Sequence, residues 1–383
     1  MRVISVSSRA ADPVRAGVDL GRALAPIEPE VVFLFSAIHY AESDDLIQAI
    51  VDTIGQPDLI VIGNTGDGYF DASGAYDNGV VAMGLSSEGQ VQWLLEQESG
   101  VQADPAGTTR RLLDRVQSAS APHKPAWCFF VSDFKTDAAE IESALSGADF
   151  PVIGGLAADD NRMHDCVLYC RDGIRRDAAF MLAALGPMRF EIAIGNSLTP
   201  VGQCGVVEAA EGSNVFRIGG QSAMDFIEQE TGKPVLQSDR GITSLTIIDS
   251  DEPEIKRLRS IVPDFSRAER SLGLYGGIEA GRTVQVCLAR ASDLIAEVHT
   301  IAERIGSTTS QPIAALIVSC AARKSVLGHE VQREARALSE RLGEGVAIAG
   351  FPSFGEIGPL KIDGRYTRNL FHNMTYVVLL LSA

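Results

Sequence analysis

Two residues near the end of the chain stand beside turns where charge and close backbone approach coincide. Arg323 follows Ser319-Cys320-Ala321-Ala322, and Glu356 closes the turn Gly350-Phe351-Pro352-Ser353-Phe354-Gly355-Glu356. A guanidinium grips a carboxylate through parallel N–H donors, while a carboxylate accepts from an ammonium. Together the two suit an amino acid or a similar zwitterion. The competing reading is that Arg323 and Glu356 pair with each other or cap neighbouring loops.

Other chemistries are weighed on the same stretch. Cys320 invites a nucleophile reading, with Arg323 favouring thiolate and His372 or His329 as base; the alternative is a small buried residue. Gly350-x-x-x-x-Gly355 has the spacing of a phosphate loop, but Glu356 stands where a Lys must neutralise phosphate. Gly63-x-x-Gly66-x-Gly68 has the dinucleotide glycines out of order, with Asp67 again unfavourable. Nucleotides are therefore disfavoured and no cofactor is expected. A metal would have to use His164, Asp165, Cys166 and Cys170, yet there is no Cys-x-x-Cys pair and the cysteines flank an apolar run. A Gly-x-Ser-x-Gly elbow is absent. His372-Asn373-Met374-Thr375 reads as a tie between a turn and the final strand.

The elements that must position these residues recur. Residues 315–320 form an apolar run reaching Ser319; Val331, Ala335, Leu338 and Leu342 follow at helical spacing, and a second run enters Gly350. The same order holds for Val31-Val32-Phe33-Leu34-Phe35-Ser36, a helix opened by Ser43-Asp44-Asp45, and Leu59-Ile60-Val61-Ile62 entering Gly63. It holds again for Trp127-Cys128-Phe129-Phe130-Val131-Ser132, a helix capped by Asp137 with Glu140 three residues on, and Pro151-Val152-Ile153 entering Gly154. Gly63 and Gly68 superpose on Gly350 and Gly355. The residues following the first-strand serines are Ala37, Asp133 and Cys320, which weighs against a dedicated nucleophile. Ahead of the first copy, an N-terminal strand and a helix over 14–24 are expected, with Val14, Val18 and Leu24 on its apolar face.

The fold class predicted is α/β, with internally repeated strand–helix–strand units forming two associated α/β domains, 1–218 and 219–383. Residues 189–311 differ from the copies; strands over 190–194, 205–207, 243–248 and 283–288 and helices over 222–231 and 294–305 are expected there, while 257–271 has no clear assignment. In an open α/β sheet, ligands sit at the carboxyl ends of strands. That rule nominates Asn64, Thr65, Asp67, Asp159, Ser319, Cys320, Arg323, Ser353 and Glu356, with Ser36, Ser132 and Asp160 at equivalent ends; Phe354, between Ser353 and Glu356 in the same turn, is counted with them.

Composition narrows the function class. The 383 residues carry 50 Asp and Glu against 33 Lys and Arg, a formal charge of −17, with no compensating basic run. Such a surface repels nucleic acid and anionic lipid. The first residues lack a signal-peptide core, and the final apolar run is too short to span a bilayer. Six scattered cysteines, mostly in apolar runs, read as reduced thiols, and a cytoplasmic location is expected.

With these motifs placed, the chain resembles the FIST family, with N-terminal and C-terminal FIST domains in tandem. Ser319-Cys320-Ala321-Ala322-Arg323 is similar to its Ser-Cys-Ala-Gly-Arg run, residues 350–357 to Gly-Phe-Tyr-Ser-Tyr-Gly-Glu-Ile, and Phe371-His372-Asn373-Met374-Thr375 to Phe-His-Asn-Gln-Thr. Asn64 replaces a usual Cys, Tyr69 an acidic residue, Ala322 a Gly, and Gly219 an Asp. The resemblance implies a stand-alone sensory, small-ligand-binding protein of signal transduction, and makes His372 and Asn373 pocket candidates. An amino acid is its plausible ligand and a signalling protein a possible partner. The alternatives are an enzyme using Cys320 and Glu356, or a non-catalytic interaction scaffold.

Overall fold

The structure, a computed structural model, describes residues 1–195, 197–248, 252, 254–266, 269–308 and 311–382. The first unit runs β1 (Arg2–Ser8), α1 (Pro13–Leu24), β2 (Val31–Ser36), α2 (Asp45–Ile54), β3 (Ile60–Thr65), the hairpin β4 (Tyr69–Asp71) and β5 (Gly74–Tyr76), and β6 (Val80–Ser86). The second repeats this order as β7 (Gln92–Ser99), α3 (Pro105–Ser120), β8 (Trp127–Ser132), α4 (Ala138–Leu145), β9 (Val152–Leu156), β10 (Leu168–Cys170), β11 (Gly173–Arg175) and β12 (Ala178–Leu185).

The third unit opens with β13 (Arg189–Gly195) and is then interrupted by β14 (Thr199–Glu211), β15 (Asn214–Ile218), β16 (Gln221–Ser222), α5 (Ala223–Thr231), β17 (Ser244–Ile248), β18 (Arg257–Pro263), β19 (Leu272–Leu274) and β20 (Thr283–Leu288). It resumes with α6 (Ala291–Thr308), β21 (Pro312–Cys320), α7 (Ala321–Leu327), α8 (Gln332–Leu342), β22 (Ala347–Ser353), the hairpin β23 (Glu356–Ile362) and β24 (Arg365–His372), and β25 (Tyr376–Ser382). The repeated unit is thus longer than its strand–helix–strand kernel. It begins one strand and one helix earlier, so 189–195 and 291–308 belong to the third unit.

Each unit builds one six-stranded sheet around a parallel pair, β2/β3, β8/β9 or β21/β22. The last strand of the unit lies antiparallel to the first of that pair, and the unit's opening strand forms the sheet edge. The hairpins are exchanged in a cycle: β4–β5 joins β22, β10–β11 joins β3, and β23–β24 joins β9. Parallel strands buried on both faces need continuous apolar sequence, and β2, β8 and most of β21 are buried throughout. The core packs Phe33 edge-on to Phe129 at 5.2 Å and stacks Phe35 on Phe351 at 4.9 Å.

The glycines of the second strands are required by a close approach. Gly63, Gly154 and Gly350 lie opposite Leu34, Phe130 and Ile317. A Cβ there would fall 1.7, 1.8 and 2.1 Å from those residues' carbonyl oxygens. Two residues beyond each glycine the three turns meet in a ring: the Asp67 N–H donates to Pro352 O, Ala158 to Thr65 O, and Phe354 to Leu156 O. The units are therefore related cyclically about the point where their strand ends converge.

The inserted strands close on themselves in the order β14, β20, β17, β18, β19, β15 and back to β14, giving a six-stranded barrel with α5 packed on it. Both portions of the chain, 1–218 and 219–383, are α/β and are associated through shared sheets; the 218/219 division falls between β15 and β16, inside the barrel. The stretch 257–271, which had no sequence assignment, supplies β18 and contacts that fix the barrel to the core. Arg259 is almost fully buried because its Nη2 donates to Glu142 at 2.5 Å and its Nη1 to the Phe371 carbonyl at 2.9 Å. The Ser260 N–H donates to the Asn373 side-chain oxygen at 3.0 Å.

Two helix details depart from the sequence expectation. Val14 is exposed, and α1 instead buries Ala16, Gly17, Leu20, Gly21 and Leu24. Gly17 and Gly21 let α2 approach so closely that a Cβ on either would fall 2.6 Å from Ala49 or Thr53. Asp44 occupies the cap position of α2 but turns its carboxylate to the Ile174 N–H, leaving no side-chain cap. Asp137 does cap α4, through the Ala139 N–H.

Candidate functional site

Where the barrel overhangs the strand ends of the third unit, it encloses a cavity of about 300 Å³. Its floor is Cys320 at the end of β21, Ser353 at the end of β22, Phe354, Asn373, and Ala321, Ala322 and Ser325 of α7. The barrel supplies Gln237, Ser238, Arg240, Gly241, Ile242, Ser260 and Tyr275. Asn161 and Met163 enter from the loop after β9.

Four sequence candidates therefore share one cavity: Cys320, Ser353, Phe354 and Asn373. The others do not line it. Arg323 is fully buried and committed: its Nε donates to Glu334 at 2.8 Å, its Nη1 to Glu297 and the Met374 carbonyl, and its Nη2 to the Leu294 carbonyl. Ser319 donates to the other Glu334 oxygen at 3.0 Å. Glu356 accepts from Ser353 at 2.6 Å and from the Thr375 N–H and hydroxyl, so both its oxygens are occupied within the protein. The expected clamp, Arg323 on a carboxylate and Glu356 on an ammonium, is thus engaged in internal contacts. Of the two alternatives set against it, mutual pairing does not occur, while contact with a neighbouring loop holds in part: Arg323 donates to the Met374 carbonyl and Glu356 accepts from the Thr375 N–H of the same turn, and Glu297 and Glu334 of α6 and α8 neutralise the guanidinium.

Burial sets the protonation states. It pushes the Glu356 carboxyl up to about 7, against the hydrogen bonds from Ser353 and Thr375 that favour the carboxylate. Burial and the nearby Glu356 push the Cys320 thiol well up, outweighing Arg323, so the thiolate expected beside an arginine does not form near neutral pH. Burial lowers His372 to about 4; its Nε2–H donates to the Gly358 carbonyl at 2.9 Å and its Nδ1 has no protein partner.

The first two units' candidates stand apart from this cavity. Asn64 and Thr65 are fully buried; Asn64 donates to the Thr65 carbonyl, and the Thr65 hydroxyl accepts from the Val167 N–H. Asp159 is spent on its own loop, accepting from the N–H groups of Met163, His164 and Asp165. Asp67 lines a different cavity, of about 370 Å³, beside Asp77 and Lys324. Burial raises its carboxyl to about 6, against the attraction of Lys324.

Arg240, Tyr275, Asn161 and Met163 were not singled out in the sequence, where they fall in polar loops without diagnostic spacing. Arg240 is the important omission. Its Nε donates to the Tyr275 hydroxyl at 2.9 Å, and no carboxylate among the described residues pairs with it. A larger cavity, about 660 Å³, lies between α4 and the barrel. Its arginines are already ion-paired, Arg257 and Arg259 with Glu142, Arg282 with Glu279 and Arg368 with Glu252, so it offers no comparable free cation.

These features define a class: a three-unit α/β core with exchanged hairpins, carrying a β-barrel over one set of strand ends. The FIST N domain matches residues 30–221 and the FIST C domain residues 232–359. The chain belongs to the FIST family, whose domains are associated with sensory functions in signal transduction. No curated protein matches it. Among solved structures, cyanuric acid hydrolase from A. caulinodans is similar at 11% identity and a TM-score of 0.18, covering 76% of this chain and 99% of that one. T. maritima PurL complexed with FGAR is similar at 11% identity and a TM-score of 0.21, covering 99% of this chain and 72% of that one. Likenesses of that size carry no argument about fold or chemistry.

Proposed function

We propose that this protein is a cytoplasmic sensory module that binds a small carboxylate, an amino acid or a similar zwitterion, in the cavity between the barrel and the third unit. The observation that carries the reading is Arg240: a guanidinium at a cavity mouth, oriented by Tyr275 and without a carboxylate partner among the described residues. Unpaired arginine on a concave, mixed polar and apolar wall suits a carboxylate. The side-chain oxygens of Asn161 and Gln237 are the acceptors available to an ammonium there. The ligand contacts proposed are therefore Arg240, Asn161, Gln237, Ser353, Phe354 and Asn373, with Arg323 and Glu356 as supports beneath the floor.

Binding is favoured over catalysis because Cys320 is held as a thiol, Glu356 is saturated with donors and His372 is a weak base. The two-part architecture suits a signal, since a ligand seated between barrel and core touches both and a partner protein can read their docking. No described helix is long and apolar enough to cross a membrane.

A thermal-shift screen of amino acids and small carboxylates tests the proposal. A ligand at a hundredfold its dissociation constant stabilises by about 2.7 kcal/mol, and Arg240→Met removes the response. Absence of any shift, or a shift unchanged by Arg240→Met, overturns it.

A further inference from the structure

Beside the carboxylate cavity lies a second one of about 210 Å³, and the two share Met163, Tyr275 and Phe354 as a common wall. Their characters differ. Both mix polar and apolar surface, but the first carries Arg240 and the amides of Asn161, Gln237 and Asn373 beside Ile242, Ala321 and Ala322, whereas the large side chains of the second are Phe134, Leu156, Leu274 and Phe371 together with the three shared residues. Phe134 meets Phe354 edge-on at 5.1 Å, so the aromatic surface is continuous from one cavity to the other. Two polar members of the second cavity have partners outside it: Thr136 donates to the Val101 carbonyl, and one Asp137 oxygen accepts from the Ala139 N–H to cap α4. Tyr275 links the two, its hydroxyl bonded to Arg240 and its ring forming part of the apolar wall.

We infer that the ligand is an amphipathic carboxylate whose charged end is held at Arg240 and whose aromatic or branched apolar tail enters the second cavity. This rests on the proposed carboxylate site and narrows its substrate class. Size supports the assignment. An apolar cavity of about 150 Å³ accepts a benzene ring, so the 210 Å³ lobe has room for a phenyl group and its adjoining methylene. Aromatic walls favour a ring through edge-to-face contacts beyond simple burial. A small polar carboxylate such as alanine leaves this lobe unfilled.

Calorimetric titration of the full-length chain with phenylalanine against alanine, and 3-phenylpropionate against propionate, reads the tail directly. The phenyl member of at least one pair binds about tenfold or more tightly, the gain expected for burying a phenylalanine-sized side chain. Ser213→Trp, at the half-exposed margin of the second cavity, removes that advantage while leaving the affinity for the short member unchanged. Thr136→Phe, at another lining position of the same lobe, serves if the first variant does not fold. Arg240→Met weakens both members. If the short carboxylates bind through Arg240 but the phenyl group adds less than threefold, the apolar lobe is refuted and the carboxylate site stands. An advantage that survives both filling variants refutes the lobe equally. If no carboxylate binds at all, the site itself fails and this inference with it.

Discussion

Arg323→Met separates the two roles that this arginine could play. In the fold it neutralises Glu334 and Glu297, and the pair with Glu334 has both side chains at 0% exposure. Removing one partner of a buried ion pair leaves uncompensated charge and costs about 3–5 kcal/mol. The unfolding entropy of a chain of this length is about 0.8 kcal/mol/K, so the melting temperature falls by about 4–6 °C if the whole chain unfolds together. Glu297 is already pushed toward its protonated form by burial, opposed by Arg323. Its uptake of a proton after the substitution makes the loss smaller at pH 5 than at pH 8. The assay is thermal unfolding followed by circular dichroism at both pH values, with Glu334→Gln added in a double-mutant cycle. The second substitution recovers part of the loss. A melting temperature within 1 °C of the parent, combined with a lost carboxylate response, would show that Arg323 is a ligand contact and that the buried network has been misassigned.

Three further outcomes are expected. Glu356 binds its proton more tightly folded than unfolded, so its contribution is fully present below the unfolded value and is lost as pH rises from about 4.5 to about 7. That amounts to about 3 kcal/mol; the difference between parent and Glu356→Gln stability across pH 4–8 reads it, and a flat difference refutes it. Gly63→Ala puts a methyl into the Leu34 carbonyl and abolishes soluble expression. Gly89→Ala meets nothing within 4 Å and costs only the left-handed backbone, about 1–2 kcal/mol; soluble yield of Gly63→Ala equal to that of Gly89→Ala would contradict the close packing. Exposed Cys204 alkylates at neutral pH in the folded protein while Cys320 reacts only on unfolding, and mass mapping after a short iodoacetamide pulse shows any reversal.

The repeated kernel was legible because its causes are local. Strands such as 31–36 and 127–132 are buried on both faces and so are written as unbroken apolar runs, and glycine is forced wherever a second strand crosses a neighbouring carbonyl. The hairpin 69–71 with 74–76 left no such mark; of 168–170 with 173–175 only the apolar run 167–169 read as a strand, and the exchange of both hairpins between sheets is a property of distant pairing. The barrel strand 257–263 hid because Arg257 and Arg259 break an apolar pattern that distant partners make tolerable, Glu142 more than a hundred residues earlier among them. The site was half legible. Cys320 and Ser353 follow from the strand-end rule, Phe354 comes with the same turn, and Asn373 comes from the family resemblance. Arg323 and Glu356 look available in a linear reading because the residues that saturate them, Glu297, Glu334 and Thr375, are scattered. Arg240 looks ordinary because its significance is that no carboxylate among the described residues pairs with it.

The cyclic exchange of hairpins governs how the chain can be made. The first sheet is incomplete until β10–β11 has been synthesised, the second until β23–β24, and the third draws a hairpin from the first unit while its own central strands come last. Emerging from the ribosome, the second unit must hold an open sheet edge for nearly two hundred residues, with the whole barrel still to be made. Contacts of such sequence separation fold slowly and expose aggregation-prone edges meanwhile. Completion comes only with the last strand, so a message truncated before β25 yields no smaller finished protein, and the amount of native product depends on what shields that waiting edge.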